Sequence, residues 1–238
     1  MNKLYEKSRL SFAIAWIVVY VAGLSIADNL SVILGVEKSV TAVVSVILSA
    51  TVVIWLRRNN LFTEYGLCKS EISARTMGYY IPLIILASVN LWYGVAMNFG
   101  AFETILYVVS MLMVGFLEEI IFRGFLFKAM CKDSVKWAIV VSGVTFGMGH
   151  IVNLINGSGA DLLSNLLQVA YAMAGGILFA IIFYKTKSLW PCIVTHGILN
   201  ALSAFADQSN VTVTTEAVTA AVLCAVSLGY GVYVIKKS

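Results

Sequence analysis

The sequence is poor in charged residues and in proline. Of its 238 residues only 12% are charged and two are proline, whereas 60% are apolar, and the mean hydropathy is +0.91. Soluble globular domains usually carry about 25% charged residues, so this composition excludes an ordinary soluble domain. We expect an integral membrane protein.

The apolar stretches also lack the alternation of polar and apolar residues that marks the strands of a transmembrane barrel. They are long instead, and a hydrocarbon core about 30 Å thick requires roughly 20 apolar residues in a helix. The predicted fold is an all-α membrane protein with about eight transmembrane helices. The predicted spans are Leu10 to Ala27, Val40 to Leu56, Tyr79 to Asn98, Thr104 to Phe127, Val135 to Leu154, Leu162 to Tyr184, Leu189 to Phe205 and Thr215 to Ile235.

No linker, internal repeat or low-complexity tract divides the chain. We therefore expect a single polytopic membrane domain over residues 1–238. The longest polar interval, residues 57–78, mixes charged and apolar side chains, which is typical of an amphipathic helix on the membrane surface.

Basic residues gather on one side of the predicted spans. Fourteen of the 16 lie in loops or termini on that side, Lys38 lies on the other, and Arg123 lies inside a span. Since Lys and Arg are in excess in cytoplasmic loops, both termini are predicted to face the cytoplasm. This pattern accounts for the net charge of +4, so no nucleic-acid partner is expected.

The four cysteines show no CxxC spacing. They are divided between predicted spans and cytoplasmic loops, which indicates neither a disulfide framework nor a cysteine-based metal site. We expect them to be small apolar residues or free thiols.

Three ionisable residues interrupt the fourth span, in the stretch GFLEEIIFRGFLF. Each charged residue near a helix centre costs about 2.5 to 3.5 kcal/mol to insert, so Glu118, Glu119 and Arg123 must face the interior of the bundle or a wet cavity. Glu119 and Arg123 are four residues apart with the acid first, the favourable order for an ion pair. Glu118 is rotated about 100° from Glu119 in a regular α-helix, which leaves it without a local partner.

The only two histidines, His150 and His196, also lie in predicted spans. Asn200 follows His196 by one helical turn on the same face. Because unpaired buried polar groups are costly, we expect these side chains to meet the glutamates in one site. At 1.5 Å per residue, however, His150 comes too close to the outer face, so the fifth span either begins outside the membrane or is kinked or broken near its glycines.

Such a set of side chains is suited to hydrolysis. Glu118 with His150 could hold and deprotonate a water molecule. His196 and Asn200 could stabilise the oxyanion of a tetrahedral intermediate. The sequence contains no HExxH zinc motif, no GxSG and no GxGD in a span, which disfavours other types of intramembrane protease.

Together these motifs resemble the CAAX protease and bacteriocin-processing family, also called CPBP or Abi, of intramembrane endopeptidases. The adjacent Glu118 and Glu119 followed by Arg123 match its first motif, Phe146 and His150 its second, and His196 and Asn200 its third. The spans that carry these motifs, and with them the resemblance, extend over about residues 79–205. It implies catalytic roles for both glutamates, both histidines and Asn200, with Arg123 as a structural partner.

The resemblance also implies cleavage of a membrane-associated protein or peptide precursor in a bacterial cell membrane. Family members are often described as metalloproteases, although the resemblance also supports a metal-independent glutamate mechanism. The sequence favours the latter, because no HExxH motif places two zinc ligands on one helix. We expect no required cofactor. For zinc, which needs about three protein ligands, the ligand set would be Glu118, His150 and His196.

Two other functions are compatible with the sequence. The chain could be a non-catalytic membrane scaffold, kinase regulator or bacteriocin immunity protein of the same fold, because fold alone does not decide function. It could also be a proton-coupled transporter, since intramembrane glutamates and histidines line such pathways.

Overall fold

The computed structural model describes residues 1–73, 75, 78, 80–154, 161–209 and 211–236. Over these residues the chain is helical, and the one β-type pairing among them is an isolated bridge between Val95 and Ala206. The expectation of an all-α membrane protein is confirmed. The predicted surface helix is wrong for residues 59–73, which form turns and extended segments. Part of the rest of that prediction lies outside the described residues.

Nine helices follow one another in the described part of the chain. They are α1 Asn2–Lys7, α2 Arg9–Leu34, α3 Ser39–Arg58, α4 Tyr80–Ser88, α5 Ala101–Met130, α6 Val135–Gly149, α7 Leu162–Thr186, α8 Trp190–Leu202 and α9 Val213–Lys236. Short 3₁₀ segments extend α4, α6 and α8 over Val89–Leu91, His150–Leu154 and Ser203–Phe205.

Six of the predicted spans correspond to helices that are long and apolar enough to cross a membrane. These are α2, α3, α5, α6 with its 3₁₀ extension, α7 and α9. The third and seventh predicted spans correspond to the shorter helices α4 and α8, so a count of eight membrane-crossing helices is not confirmed. Tyr79, where the third span was expected to begin, lies outside the described residues, and the side of the membrane on which the termini lie stays a prediction.

Several of the long helices have a side-chain cap at the N-terminus. The hydroxyl of Ser8 accepts a hydrogen bond from the N–H of Ser11 at the start of α2, and Asp161 accepts from the N–H groups of Leu163 and Ser164 at the start of α7. Such caps satisfy N–H groups that have no partner within the helix. The hydrogen bonds from Ser164 also hold the pKa of the Asp161 carboxyl below its ordinary value.

Glycines let the motif-bearing helices approach closely. A Cβ atom on Gly115 of α5 would lie 2.7 Å from the backbone nitrogen of Gly197 on α8, and one on Gly143 of α6 would lie 2.8 Å from the nitrogen of Ile177 on α7. Small residues at helix crossings allow such backbone contact in membrane proteins. The α5–α8 crossing is what brings the residues around Glu118 beside His196.

An aromatic cluster packs the N-terminal helices against the second half of α5. Phe125 of α5 lies 5.1 Å from the ring of Phe12 and 5.1 Å from that of Tyr65, measured between ring centroids. Trp16 and Trp55 flank the same ring. Edge-to-face contacts of this kind add to the apolar area that they bury, and they hold α2 and α3 against the segment that carries the glutamates.

Candidate active site

The polar part of α5 is a π-helix. Residues Ala101–Glu118 are α-helical, Glu119–Phe127 are π-helical, and every residue of the π segment is buried. π-helices are rare and occur frequently at functional sites. The regular α geometry assumed for this helix in the sequence analysis is therefore wrong beyond Glu118.

A serine on the neighbouring helix contacts the backbone of the π segment. Ser142 of α6 is fully buried, and its hydroxyl donates a hydrogen bond of 2.8 Å to the carbonyl oxygen of Phe122. Buried backbone carbonyls require such partners. The π segment is thus tied to α6, the helix that carries Phe146 and His150.

Glu119 and Arg123 form a fully buried ion pair. Arg123 Nη1 donates to Glu119 Oε1 at 3.0 Å, and both side chains have 0% exposure. The guanidinium carbon of Arg123 also lies 4.2 Å from the centroid of the Phe146 ring, a favourable cation–π contact. The contact expected from the spacing of four is therefore present, and the aromatic residue of the second motif packs on it.

His196 lies between the two glutamates. Its Nδ1 is 2.7 Å from Glu119 Oε1 and its Nε2 is 3.2 Å from Glu118 Oε2. A neutral imidazole has one N–H donor, whereas an imidazolium has two. The Nδ1 contact to Glu119 is a hydrogen bond, whereas the Nε2 contact to Glu118 becomes an ion pair only when His196 carries a proton on both nitrogens.

Glu118 differs from Glu119 in exposure and in its second partner. Its side chain is 12% exposed, against 0% for Glu119. The second oxygen, Oε1, accepts a hydrogen bond of 2.7 Å from the hydroxyl of Tyr20 on α2. Of the two carboxylates, Glu118 is therefore the one that water can reach.

His150 lies where α6 changes into a 3₁₀ segment. The α-helix ends at Gly149 and a 3₁₀ segment continues it from His150. The helical geometry therefore changes next to the glycines, and the choice between the two alternatives left by the sequence stays open. The Phe146 ring is in edge contact with both imidazoles, 5.4 Å from His150 and 5.5 Å from His196. Glu118 is close enough for its charge to act on His150.

No direct hydrogen bond joins Glu118 to His150 in the described part of the chain, where the carboxylate oxygens of Glu118 contact Tyr20 and His196. Within the described residues the imidazole of His150 makes no hydrogen bond, while its backbone carbonyl accepts from Asn165 at 2.9 Å. The ring therefore keeps its hydrogen-bonding capacity for a ligand or for water.

Asn200 is half-buried on α8, one turn beyond His196. Its backbone carbonyl accepts a hydrogen bond from Ser203. Its amide makes no hydrogen bond to the part of the chain that the structure describes. The two residues expected to form an oxyanion hole thus differ in whether a donor is free among the described residues. The amide of Asn200 has a free donor, whereas both ring nitrogens of His196 face carboxylates.

Comparison with known proteins supports the family assignment. Residues 99–202 match the family model described as Type II CAAX prenyl endopeptidase Rce1-like, and this range contains all three motifs. Over these residues the chain is similar to that family, which agrees with the resemblance that the motifs indicate.

Part of the chain is also similar to a curated bacterial protein. The chain is 35% identical over 94 residues to the "Putative membrane peptidase YdiL" of Bacillus subtilis (strain 168). That similarity covers 39% of this chain and 33% of YdiL, so the chain spans a third of the length of the curated relative that it matches.

The residues proposed for zinc do not form a metal site in this arrangement. Among the described residues, no group of three His, Cys, Asp or Glu side chains is placed to hold a metal ion. Zinc requires ring nitrogens and carboxylate oxygens that converge on the ion with free lone pairs, whereas both nitrogens of His196 face carboxylates at hydrogen-bonding distance. We therefore derive no step through a metal, and metal dependence stays a prediction.

Tyr20 was missed by the sequence analysis. It lies 98 residues before Glu118 and outside the matched residues 99–202, in a span that carries none of the motifs. A phenol in the middle of an apolar helix was the one available signal, because its hydroxyl requires a partner when buried. Which partner it meets depends on the packing of α2 against α5.

Proposed function

We propose that this chain is an intramembrane endopeptidase that hydrolyses a peptide bond of a membrane-associated protein or peptide precursor. The observation that carries the proposal is the different environment of two adjacent carboxylates. Glu119 is fully buried against Arg123, whereas Glu118 is partly exposed and contacts His196. A general base must be reachable by water and coupled to a proton partner, and Glu118 meets both requirements.

The charges of the site balance without an additional ion. Glu119 is paired with Arg123, and in the proposed resting state Glu118 and His196 together hold one proton, which makes the four side chains neutral as a set. Neutrality matters because an uncompensated charge in a membrane interior costs several kcal/mol. The site can therefore exist in the bilayer with its proton already at the Glu118 to His196 contact.

Hydrolysis would begin with a water molecule held by Glu118 and His150. Glu118 takes a proton from the water as its oxygen attacks the carbonyl carbon, which gives a tetrahedral oxyanion. The amide of Asn200 donates to that oxyanion. Once Glu118 is protonated, the Nε2 proton of His196 is released from the carboxylate and can turn to the same oxyanion, after which the C–N bond breaks and the leaving amine takes the proton from Glu118.

The proposed substrates are proteins or peptides that lie in the membrane, because the reactive groups are carried by membrane-spanning and membrane-buried helices. The proposed location is a bacterial cell membrane, which the similarity to the Bacillus subtilis protein supports. The proposal requires no cofactor.

Comparative peptidomics tests activity and substrate together. Cells carrying the wild type, Glu118→Gln or Glu103→Gln are compared for peptides that appear only with an active protein. Glu103 is the matched control, an acid in the first turn of α5 that accepts a hydrogen bond from the N–H of Glu37, away from the site. We expect cleavage products with the wild type and Glu103→Gln and none with Glu118→Gln.

The phenotype of the same cells distinguishes a protease from a non-catalytic membrane protein. A phenotype that depends on the protein but survives both Glu118→Gln and His150→Ala would contradict the protease proposal in favour of a scaffold or immunity function. Equal amounts of each variant in the membrane fraction ensure that a lost product reflects chemistry rather than folding.

A further inference from the structure

Tyr20 connects the N-terminal helices to the candidate active site. It lies on α2, its side chain is buried, and its hydroxyl donates to Glu118 Oε1 at 2.7 Å. The other carboxylate oxygen of Glu118 is held by His196. Side chains from two helices, α2 and α8, therefore contact the two oxygens of the same carboxylate.

The hydroxyl is not needed for packing. Tyr20 belongs to a buried stripe on α2 whose neighbours at a spacing of four, Phe12, Trp16 and Leu24, are apolar. A phenylalanine would fill the same volume without a polar atom to satisfy, and burying an unpaired hydroxyl costs free energy. The hydrogen bond to Glu118 is the interaction that distinguishes tyrosine from phenylalanine at this position.

We propose that Tyr20 is a positioning residue for the general base Glu118, an inference that rests on the proposed function. Its hydroxyl holds Oε1, which fixes the rotation of the carboxylate and leaves Oε2 toward His196. A hydrogen bond donated to a carboxylate also favours its charged form, the form that accepts a proton from water.

Several charged or titratable groups face Glu118 from the surrounding helices. His196 contacts Glu118 from α8, and Glu119 and Arg123 lie on α5 itself. His150 begins the 3₁₀ extension of α6 and packs on Phe146, whose ring also contacts His196. Replacing the Tyr20 hydroxyl leaves all of these groups in place. A change in the pH dependence of activity in that variant therefore reports the lost donor rather than a lost charge.

The test compares Tyr20→Phe with the wild type in proteoliposomes, using the substrate found by peptidomics. We expect kcat to fall roughly tenfold or more with KM little changed, since hydrogen bonds to charged groups are among the stronger ones. The acidic limb of the pH–activity profile should move to higher pH. Wild-type kcat together with an unchanged pH profile would overturn the inference.

Tyr65→Phe is the matched control. Tyr65 is as deeply buried as Tyr20, and its hydroxyl donates to the hydroxyl of Tyr5 rather than to a site residue. We expect it to leave kcat and the pH profile unchanged. The same loss of kcat in Tyr65→Phe would show that removal of any buried hydroxyl is sufficient and would contradict the specific role of Tyr20.

A second substitution keeps the inference testable if Tyr20→Phe folds poorly. Incorporation of 3,5-difluorotyrosine at position 20 nearly preserves the shape and makes the phenol a stronger donor. The acidic limb should then move to lower pH, opposite to the shift in Tyr20→Phe, which a purely structural role does not predict. No shift in a folded difluorotyrosine protein would overturn the inference.

Glu118→Gln separates this inference from the proposed function. If Glu118→Gln retains activity, the proposed function fails whatever Tyr20 does. If Glu118→Gln is inactive while Tyr20→Phe behaves as the wild type, only the positioning role fails.

Discussion

Two ion-paired regions of the molecule have similar contact distances and different surroundings. In the site pair, Arg123 and Glu119 meet at 3.0 Å with 0% exposure of either side chain. In the end pair, Lys38 and Asp28 meet at 2.8 Å where α2 and α3 are joined, with side chains 17% and 37% exposed. The end pair keeps part of its contact with solvent, and the site pair does not.

The difference shows why the site pair is unlike a stabilising surface contact. Desolvation of a buried pair can exceed the Coulombic gain, so replacement by apolar residues would cost little stability. The site pair also leaves Arg123 Nε and Nη2 and Glu119 Oε2 without partners among the described residues. We attribute the presence of the site pair to function. Glu119 contacts Nδ1 of His196 and thereby fixes the orientation of the imidazole ring whose Nε2 contacts Glu118.

Breaking the site pair should have the largest effect on stability. Arg123→Met removes the cation and leaves Glu119 buried with only the shared His196, which should lower the free energy of unfolding by about 3–5 kcal/mol. Thermal denaturation in detergent measures this as a lower Tm. The double variant Glu119→Gln with Arg123→Met should recover part of the loss, and a double variant less stable than Arg123→Met alone would contradict the account.

Removing the serine that supports the π segment should have a smaller effect. Ser142→Ala leaves the carbonyl of Phe122 without its side-chain donor, which should cost about 1–3 kcal/mol of stability. Ser45→Ala on α3 is the control, since the Ser45 hydroxyl donates within its own helix to the carbonyl of Ala42. An equal fall in Tm for both variants would show that Ser142 has no special role in supporting the π segment.

Neutralising the end pair should change little. Asp28→Asn removes a partly exposed charge, and pairs of this kind contribute about 0–1 kcal/mol. The Tm should shift by less than in Ser142→Ala, and proteolytic activity should be unchanged. A destabilisation as large as that of Arg123→Met would remove the contrast between the two regions.

Metal chelation should have no effect, because the proposed mechanism uses the side chains of the site and no metal ion. Activity of the reconstituted protein after prolonged treatment with a zinc chelator is the measurement, with a known zinc protease as positive control. Loss of activity that zinc restores would show that Glu118, His150 and His196 rearrange around an ion and that the hydrogen-bonded arrangement is not the active one.

The parts of the molecule that follow from local patterns were predictable. The long helices follow from apolar runs, and the contact between Glu119 and Arg123 follows from their spacing on one helix. The three motifs predict the residues of the candidate site because each carries a polar group into an apolar span.

The features that depend on packing were not predictable. The π segment is bonded to Ser142 on another helix, and the shortness of α4 and α8 does not show in the apolar runs around them. The position of His196 between two carboxylates was not predicted, because it depends on the close contact of Gly115 with Gly197, which brings α8 against α5. Tyr20 reaches Glu118 from a helix that no motif marks.

The rate of peptide cleavage by purified protein in proteoliposomes tests the central claim most directly. The wild type, Glu118→Gln and Glu103→Gln are compared on the substrate found by peptidomics. The account predicts cleavage by the wild type and Glu103→Gln, and a loss of about 10²-fold or more in Glu118→Gln, the scale on which a general base contributes. Cleavage by Glu118→Gln at the wild-type rate would contradict it.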